Sequence, residues 1–142
     1  MPRSLILLVV PLLLGADAAK NVVVVNDREL IQGDWKAARG WSNGVQMPNS
    51  ETERVALQFT ETKMILKEQG HNEEAAFTLD PQQSPAHIDF ELKNIGMKFQ
   101  GIYQMEGDIL KLCFTRGSKR PVSFDTKQGA DTVLIEMRKV TK

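Results

Sequence analysis

The chain has very little cysteine. Cys113 is the only one among 142 residues, so no disulfide can form within the chain, and any folded domain must be held together by its core. An unpaired thiol can bridge two chains or act as a nucleophile. No histidine is adjacent to Cys113 in sequence, however, and it lies inside an apolar stretch. We therefore expect a buried, unreactive thiol.

The sequence also lacks an excess of either charge. It holds 18 basic and 18 acidic residues, which gives a formal net charge of zero. Proteins that bind nucleic acids or anionic membrane surfaces concentrate positive charge on one face. The balance here argues against a nucleic-acid partner.

Residues for catalysis and metal binding are scarce as well. The two histidines, His71 and His87, do not have zinc-type spacing, although His71 with Glu73 and Glu74 could hold a metal weakly. No catalytic triad motif and no glycine-rich phosphate loop is present. Paired carboxylates occur, but nothing in the sequence brings two of them to one cleft. The sequence therefore predicts no metal and no cofactor, and it favours a non-enzymatic protein.

The one long apolar run lies at the N-terminus. Leu5–Leu14 follows the positively charged Arg3, and Ala16-Asp17-Ala18 supplies small residues for cleavage after Ala18. The run is shorter than the roughly 20 residues that span a membrane. We predict a signal peptide over residues 1–18, with an uncleaved anchor as the alternative. The mature protein would be secreted or periplasmic and without a membrane span.

The rest of the chain reads as one domain. Residues 19–28 are predicted to be a leader or linker, and residues 29–142 a β-barrel domain. Asn26 and Asp27 can cap a short helical turn over 28–32, which Gly33 ends.

Beyond Asp34 the apolar residues alternate with polar ones, and turn residues recur every eight to twelve positions. No helix long enough for a parallel crossover is visible. The pattern predicts an all-β fold, an up-and-down antiparallel barrel of about eight strands. The predicted strands are 34–41, 53–60, 63–69, 74–80, 87–93, 98–106, 109–116 and 131–140, with a short extended piece at 121–125.

The strongest local signal is a hairpin over 101–114 with its turn at Gly107-Asp108. This turn sets the register of the two strands. Met105 opposes Leu110, Tyr103 opposes Leu112 and Gly101 opposes Phe114, while Gln104 opposes Lys111 and Ile102 opposes Cys113. The first three pairs form the apolar face, which should point inward, because a slip of one residue would bury Lys111.

Two short motifs resemble known proteins. Gly33-Asp34-Trp35 at the start of the first strand resembles the Gly-x-Trp signature of lipocalins. That resemblance implies a Trp35 that plugs the closed end of an eight-stranded barrel, with a basic residue of the last strand across it. Arg138 is the expected residue, and its contact with the indole would be a cation–π interaction.

A closer resemblance covers residues 29–139. The blocks Ile31–Lys36, Leu79–Pro81 with Pro85–Asp89, Gly-Ile-Tyr (101–103) to Leu-Lys-Leu-Cys-Phe (110–114), and Arg120–Phe124 occur in the order seen in one family. It is a family of mostly secreted lipocalin-like domains, abundant in planctomycete bacteria, with no established activity. Phe77 replaces a common Tyr, and Met105-Glu106 a common Leu-Asp. The resemblance implies a fold and no particular function.

Three functions remain open from the sequence. In the first, the barrel lumen binds a small apolar or amphiphilic ligand; the candidate lumen residues are Phe59, Phe77, Phe90, Tyr103, Met105, Leu112 and Phe114. In the second, those side chains fill the lumen, and the protein is a solid-core structural or interaction domain of the cell envelope. An exposed apolar patch around Ile102 and Val122 would favour it. In the third, Tyr103 beside an inward carboxylate or histidine would support catalysis.

Overall fold

The computed structural model describes residues 26–116, 119–128 and 131–141. The predicted signal peptide (1–18) and the predicted leader up to residue 25 lie outside this part of the chain. Among the described residues, no helix has the length and apolar character needed to cross a membrane.

Strands dominate the described structure. They are β1 Gly33–Ser42, β2 Val45–Gln46, β3 Val55–Phe59, β4 Lys63–Glu68, β5 His71–Asp80, β6 Ala86–Leu92, β7 Met97–Glu106, β8 Ile109–Thr115 and β9 Thr132–Lys139. Two helices of one turn each, α1 Asp27–Leu30 and α2 Asn49–Thr52, and a 3₁₀ turn over Thr126–Gln128 complete the described elements.

The sheet closes on itself. From β3 to β9 each strand pairs antiparallel with the next, β1 pairs with β3, and β1 also pairs with β9. The short β2 extends β1 as a hairpin outside this ring. The eight remaining strands form a closed antiparallel barrel, so the predicted fold class is confirmed. Closure leaves none of these eight strands as an unpaired edge.

The leading hairpin has the predicted register. Tyr103 pairs with Leu112, Met105 with Leu110, and Gly101 with Phe114. Tyr103, Leu110 and Leu112 are buried in the core, whereas Lys111 lies on the outer face opposite Glu136. Gly107 has a φ of +59°, which the tight turn requires and glycine adopts without strain.

One predicted element is wrong. Residues 121–125 form bends and not an extended strand. Pro121 has no N–H to donate to a sheet ladder, and the Asp125 side chain accepts a hydrogen bond from the Lys127 backbone N–H at 2.9 Å. Local turn chemistry therefore overrides the apolar character of this segment. The short helix α2 was not predicted.

Helix α1 and Trp35 close one end of the barrel. The Asn26 side chain caps α1 by accepting a hydrogen bond from the Glu29 N–H at 3.0 Å, as predicted. After α1, Ile31 enters the lumen and is 0 % exposed, and Trp35 beside it is 1 % exposed. The indole Nε1–H donates to the Ile31 carbonyl at 2.7 Å. This bond joins the chain before the barrel to the first strand.

The basic residue over Trp35 is Lys139, and the prediction of Arg138 is wrong. Lys139 pairs directly with Trp35, and its Nζ lies 5.3 Å from the indole centroid and donates to the Leu30 carbonyl at 3.0 Å. Alternate residues of a strand point to the same side, so Lys139 points into the barrel like Met137. A residue that contacts the inward-pointing indole of Trp35 has to do so. Arg138 has the opposite parity, is 61 % exposed, and lies 3.8 Å from Asp108.

A Trp35→Phe substitution tests the closed end. The ring remains, but the Ile31 carbonyl loses its buried donor and a small void opens, so the free energy of unfolding should fall by about 2–3 kcal/mol. The matched control is Trp41→Phe, because Trp41 is half-buried beneath Arg39 and its indole N–H makes no hydrogen bond to another described residue. That change should cost less than about 1 kcal/mol. Urea unfolding measures both, and equal losses would contradict the role of Trp35.

Candidate functional site

The open end of the barrel contains an apolar cavity of about 310 Å³. It lies on the side of the lumen opposite α1 and Trp35, where β3, β7 and β9 begin and β4, β6 and β8 end. Eleven apolar side chains and one charged one line it: Val55, Leu57, Met64, Leu66, Phe90, Leu92, Met97, Phe99, Leu112, Phe114, Ile135 and Arg116. Met97 is 42 % exposed, so the cavity reaches the solvent at its rim.

Three of the seven candidate lumen residues line this cavity. They are Phe90, Leu112 and Phe114. Phe90 stacks on Phe99 with ring centroids 4.8 Å apart, and Phe114 meets both rings edge-on at 5.4 and 5.8 Å. Interlocked rings of this kind form a rigid apolar wall, because each fixes the orientation of the next.

The other four candidates lie at the closed end and do not line the cavity. Phe59 and Phe77 pack edge-on at 5.2 Å, and the Arg28 guanidinium of α1 lies 4.6 Å from the centroid of the Phe77 ring. Tyr103 is buried, and Met105 packs partly buried against the same core. Strand alternation correctly predicts that these side chains point inward. It does not predict which end of the barrel α1 fills.

Sequence reasoning did not select most of the lining residues. Val55 and Leu57 belong to an alternating run that predicts an inward-facing side of the strand. Whether they lie at the cavity depends on their position along the barrel axis, which alternation does not predict. Arg116 had a readable signal. It continues the inward series Leu112, Phe114 by two residues, so the hairpin register already points it toward the lumen.

Tyr103 lies beside a carboxylate, the arrangement that would support catalysis. Its hydroxyl donates a 2.6 Å hydrogen bond to Asp27 Oδ2 of α1. Burial, followed by this bond and the charge of Asp27, raises the pKa of the phenol far above its ordinary value of 10.0. The phenol therefore stays protonated and is a poor base. The pair lies at the closed end, where it fastens α1 to the barrel.

A strap formed by residues 119–128 covers part of the outer surface. Arg120 anchors it, with Nη1 donating to the Gly101 carbonyl at 2.7 Å and lying 2.7 Å from Asp89 Oδ1. Gly101 itself has inward parity, and a Cβ there would lie 2.7 Å from the Cys113 carbonyl oxygen of the neighbouring strand. Outward-facing Ile102 is 1 % exposed.

The strap alters the expected surface patch. Val122 is 77 % exposed, but Ile102 is buried, so the two do not form one exposed apolar patch. Cys113 is buried as predicted, and its Sγ–H donates to the Ser123 carbonyl at 3.6 Å. Burial, and to a smaller extent the charge of Asp125, raises the pKa of the Cys113 thiol to about 11.

The two histidines lie away from the cavity lining. His71 Nε2 is 3.0 Å from Glu73 Oε1 on an exposed strand end, and His87 is half-buried on β6. Within the described ranges, no group of three or more His, Cys, Asp and Glu residues is placed to hold a metal ion.

No family model, no curated protein and no solved structure matches this chain. An apolar cavity with aromatic walls can exclude water from a nonpolar molecule and orient it, and the described residues that line it carry no nucleophile or general base. The arrangement supports binding.

Titration of Tyr103 tests the attachment of α1. Tyr103 is the only tyrosine, so tyrosinate absorbance reports on it alone. The pKa of Tyr103 is higher in the folded state than in the unfolded state. The contribution of this pair to the free energy of unfolding is therefore fully present below pH 10 and decreases as the pH rises above 10. We expect no tyrosinate absorbance at pH 10 in the native protein and ordinary titration in urea. Asp27→Asn should lower the native pKa of Tyr103. If Tyr103 titrates at its ordinary pH in the native, unsubstituted protein, the hydrogen bond between Tyr103 and Asp27 is contradicted.

Thiol labelling tests the strap. Cys113 should react slowly with a thiol reagent at neutral pH in the folded protein and fully in urea. Arg120→Gln removes the anchor, and we expect labelling to become about tenfold faster as the strap opens more often. Arg138→Gln, an exposed arginine at the opposite end of its strand from the cavity, is the control and should change nothing. Fast labelling of the unsubstituted protein would contradict the burial of the thiol.

Proposed function

We propose that the protein binds one small apolar or amphiphilic ligand in the cavity at the open end of its barrel. The observation that supports this function is the cavity itself. It measures about 310 Å³, is lined almost wholly by apolar side chains and has an exposed rim residue, Met97. Its volume is at the lower end of the range for small-molecule sites, about 300–1,000 Å³.

The size of the cavity limits the ligand. At about 30 Å³ for each water-sized atom, the space holds a chain of roughly ten non-hydrogen atoms. Each methylene group moved from water into the cavity contributes about 0.8 kcal/mol, so affinity should rise about fourfold per carbon until the cavity is full. Further carbons would remain in water and add little.

We further propose that the protein is exported and belongs to the lipocalin-like family of planctomycete bacteria. The signal-like sequence of residues 1–18 supports export to the periplasm or the exterior. The closed eight-stranded barrel, with Gly33 and Trp35 opening its first strand at a closed end, supports the lipocalin-like assignment.

The cavity also weighs against the alternative function. A solid-core structural or interaction domain requires inward side chains that fill the lumen. The closed end meets this requirement, since Ile31, Trp35, Leu110 and Met137 are at most 1 % exposed. The open end does not meet it, because a cavity remains above the Phe90 and Leu112 side chains.

Filling the cavity tests the proposed function. Ile135→Trp places an indole in the cavity and should reduce binding of 1-octanol and 1-decanol at least tenfold, because the alkyl chain loses its space. Ile109→Trp is the matched control, since Ile109 is also half-buried but faces outward on the neighbouring strand. Isothermal titration calorimetry with a series of 1-alkanols measures both, after urea unfolding has shown that each variant folds.

Two results would contradict the proposal. One is the absence of binding for every 1-alkanol from six to twelve carbons. The other is equal binding to both tryptophan variants, which would place the alcohol outside the lumen.

A further inference from the structure

Arg116 introduces a positive charge into an otherwise apolar cavity. It follows β8 directly, has the inward parity of Leu112 and Phe114, and lines the cavity while remaining exposed at its mouth. We propose that the ligand is a single-chain amphiphile with an anionic head group, whose tail occupies the cavity and whose head binds the Arg116 guanidinium. This inference rests on the proposed function and specifies the ligand class for the same site.

The guanidinium is available to a ligand. Every other described residue that lines the cavity is uncharged, and within the described part of the chain Arg116 has no recorded ion-pair or hydrogen-bond partner. A guanidinium presents paired N–H donors that match the paired oxygens of a carboxylate, sulfate or phosphate. Arg116 would therefore gain a partner on binding without losing one to any described residue.

Two acidic groups near the mouth are not part of the cavity lining. Glu73 lies on the inward face of β5, but its Oε1 is 3.0 Å from His71 Nε2, and it does not line the cavity. Asp131 precedes β9 as an exposed turn residue and does not line the cavity either. Arg116 is the one charged side chain among the described residues that line the cavity.

The geometry of the cavity fits a molecule with an apolar tail and a polar head group. Phe90, Phe99 and Phe114 form the wall below Arg116, so a tail would contact aromatic rings while its head stays at the exposed mouth. The head is then only partly desolvated, which keeps its cost low and limits its gain. The net charge of the chain is zero, so preference for an anion would arise at this residue and not from long-range attraction.

Three ligands with the same ten-carbon tail distinguish the contribution of the head group to affinity from that of the tail. Calorimetry compares decanoate, 1-decanol and decyltrimethylammonium below their micelle concentrations. We expect decanoate to bind about three- to tenfold more tightly than 1-decanol, and the cation more weakly than either. Decyl sulfate and decyl phosphate in the same assay distinguish which anionic head is preferred.

Substitutions of Arg116 test whether this residue causes the preference for an anionic head group. Arg116→Gln should reduce decanoate binding to the level of 1-decanol and leave 1-decanol unchanged, whereas Arg116→Lys should keep part of the difference. Arg116→Glu should invert the order, so that decyltrimethylammonium binds more tightly than decanoate. Arg138→Gln removes an arginine of the outer face and should leave every affinity unchanged.

The outcomes keep the two proposals separate. If 1-decanol and decanoate bind equally and Arg116→Gln has no effect, the anionic head is wrong and lumen binding stands. If Arg138→Gln lowers decanoate binding as much as Arg116→Gln, the preference reflects net charge and the assignment to Arg116 is wrong. If none of the three ten-carbon ligands binds, the proposed function itself fails.

Discussion

The pairing of β1 with β9 is the interaction on which the rest of the structure depends. It joins the first and last strands of the barrel and thereby converts a sheet with two open edges into a closed lumen. This pairing places Lys139 opposite Trp35, and its register shifts further along, between Ala37 and Arg39. Without this pairing the inward side chains would have no common interior, and there would be neither a closed end nor a cavity.

The two ends of this lumen have opposite roles. At one end, the chain before β1 bends inward. Two of its backbone carbonyls accept hydrogen bonds from Trp35 and Lys139, and the Asp27 carboxylate accepts one from Tyr103, so a dense core forms. At the other end aromatic walls surround space, and helix α2 packs on β1 with Thr52 buried next to Gly40. The stability of the closed end allows the open end to remain incompletely packed.

The sequence predicted strand positions and hairpin register well, because both follow from alternation and turn chemistry, as in the Tyr103–Leu112 pair. It did not predict position along the barrel axis, which depends on where α1 folds in. Phe59 and Phe90 look alike in sequence but lie at opposite ends. Alternation also missed the strap, since Ile102 is outward-facing and still buried. Arg138 was predicted because its parity is opposite to that of the apolar Val133, Ile135 and Met137. A residue that contacts an inward indole must instead share their parity, as Lys139 does.

Methyl NMR with decanoate locates a bound ligand within the barrel. We expect chemical-shift changes at the methyl groups of Leu57, Leu66 and Ile135 around the cavity, and none at Ile31 and Leu110 in the closed end. Changes confined to the closed end or to the outer surface, or no changes at all at saturating decanoate, would contradict binding in the cavity.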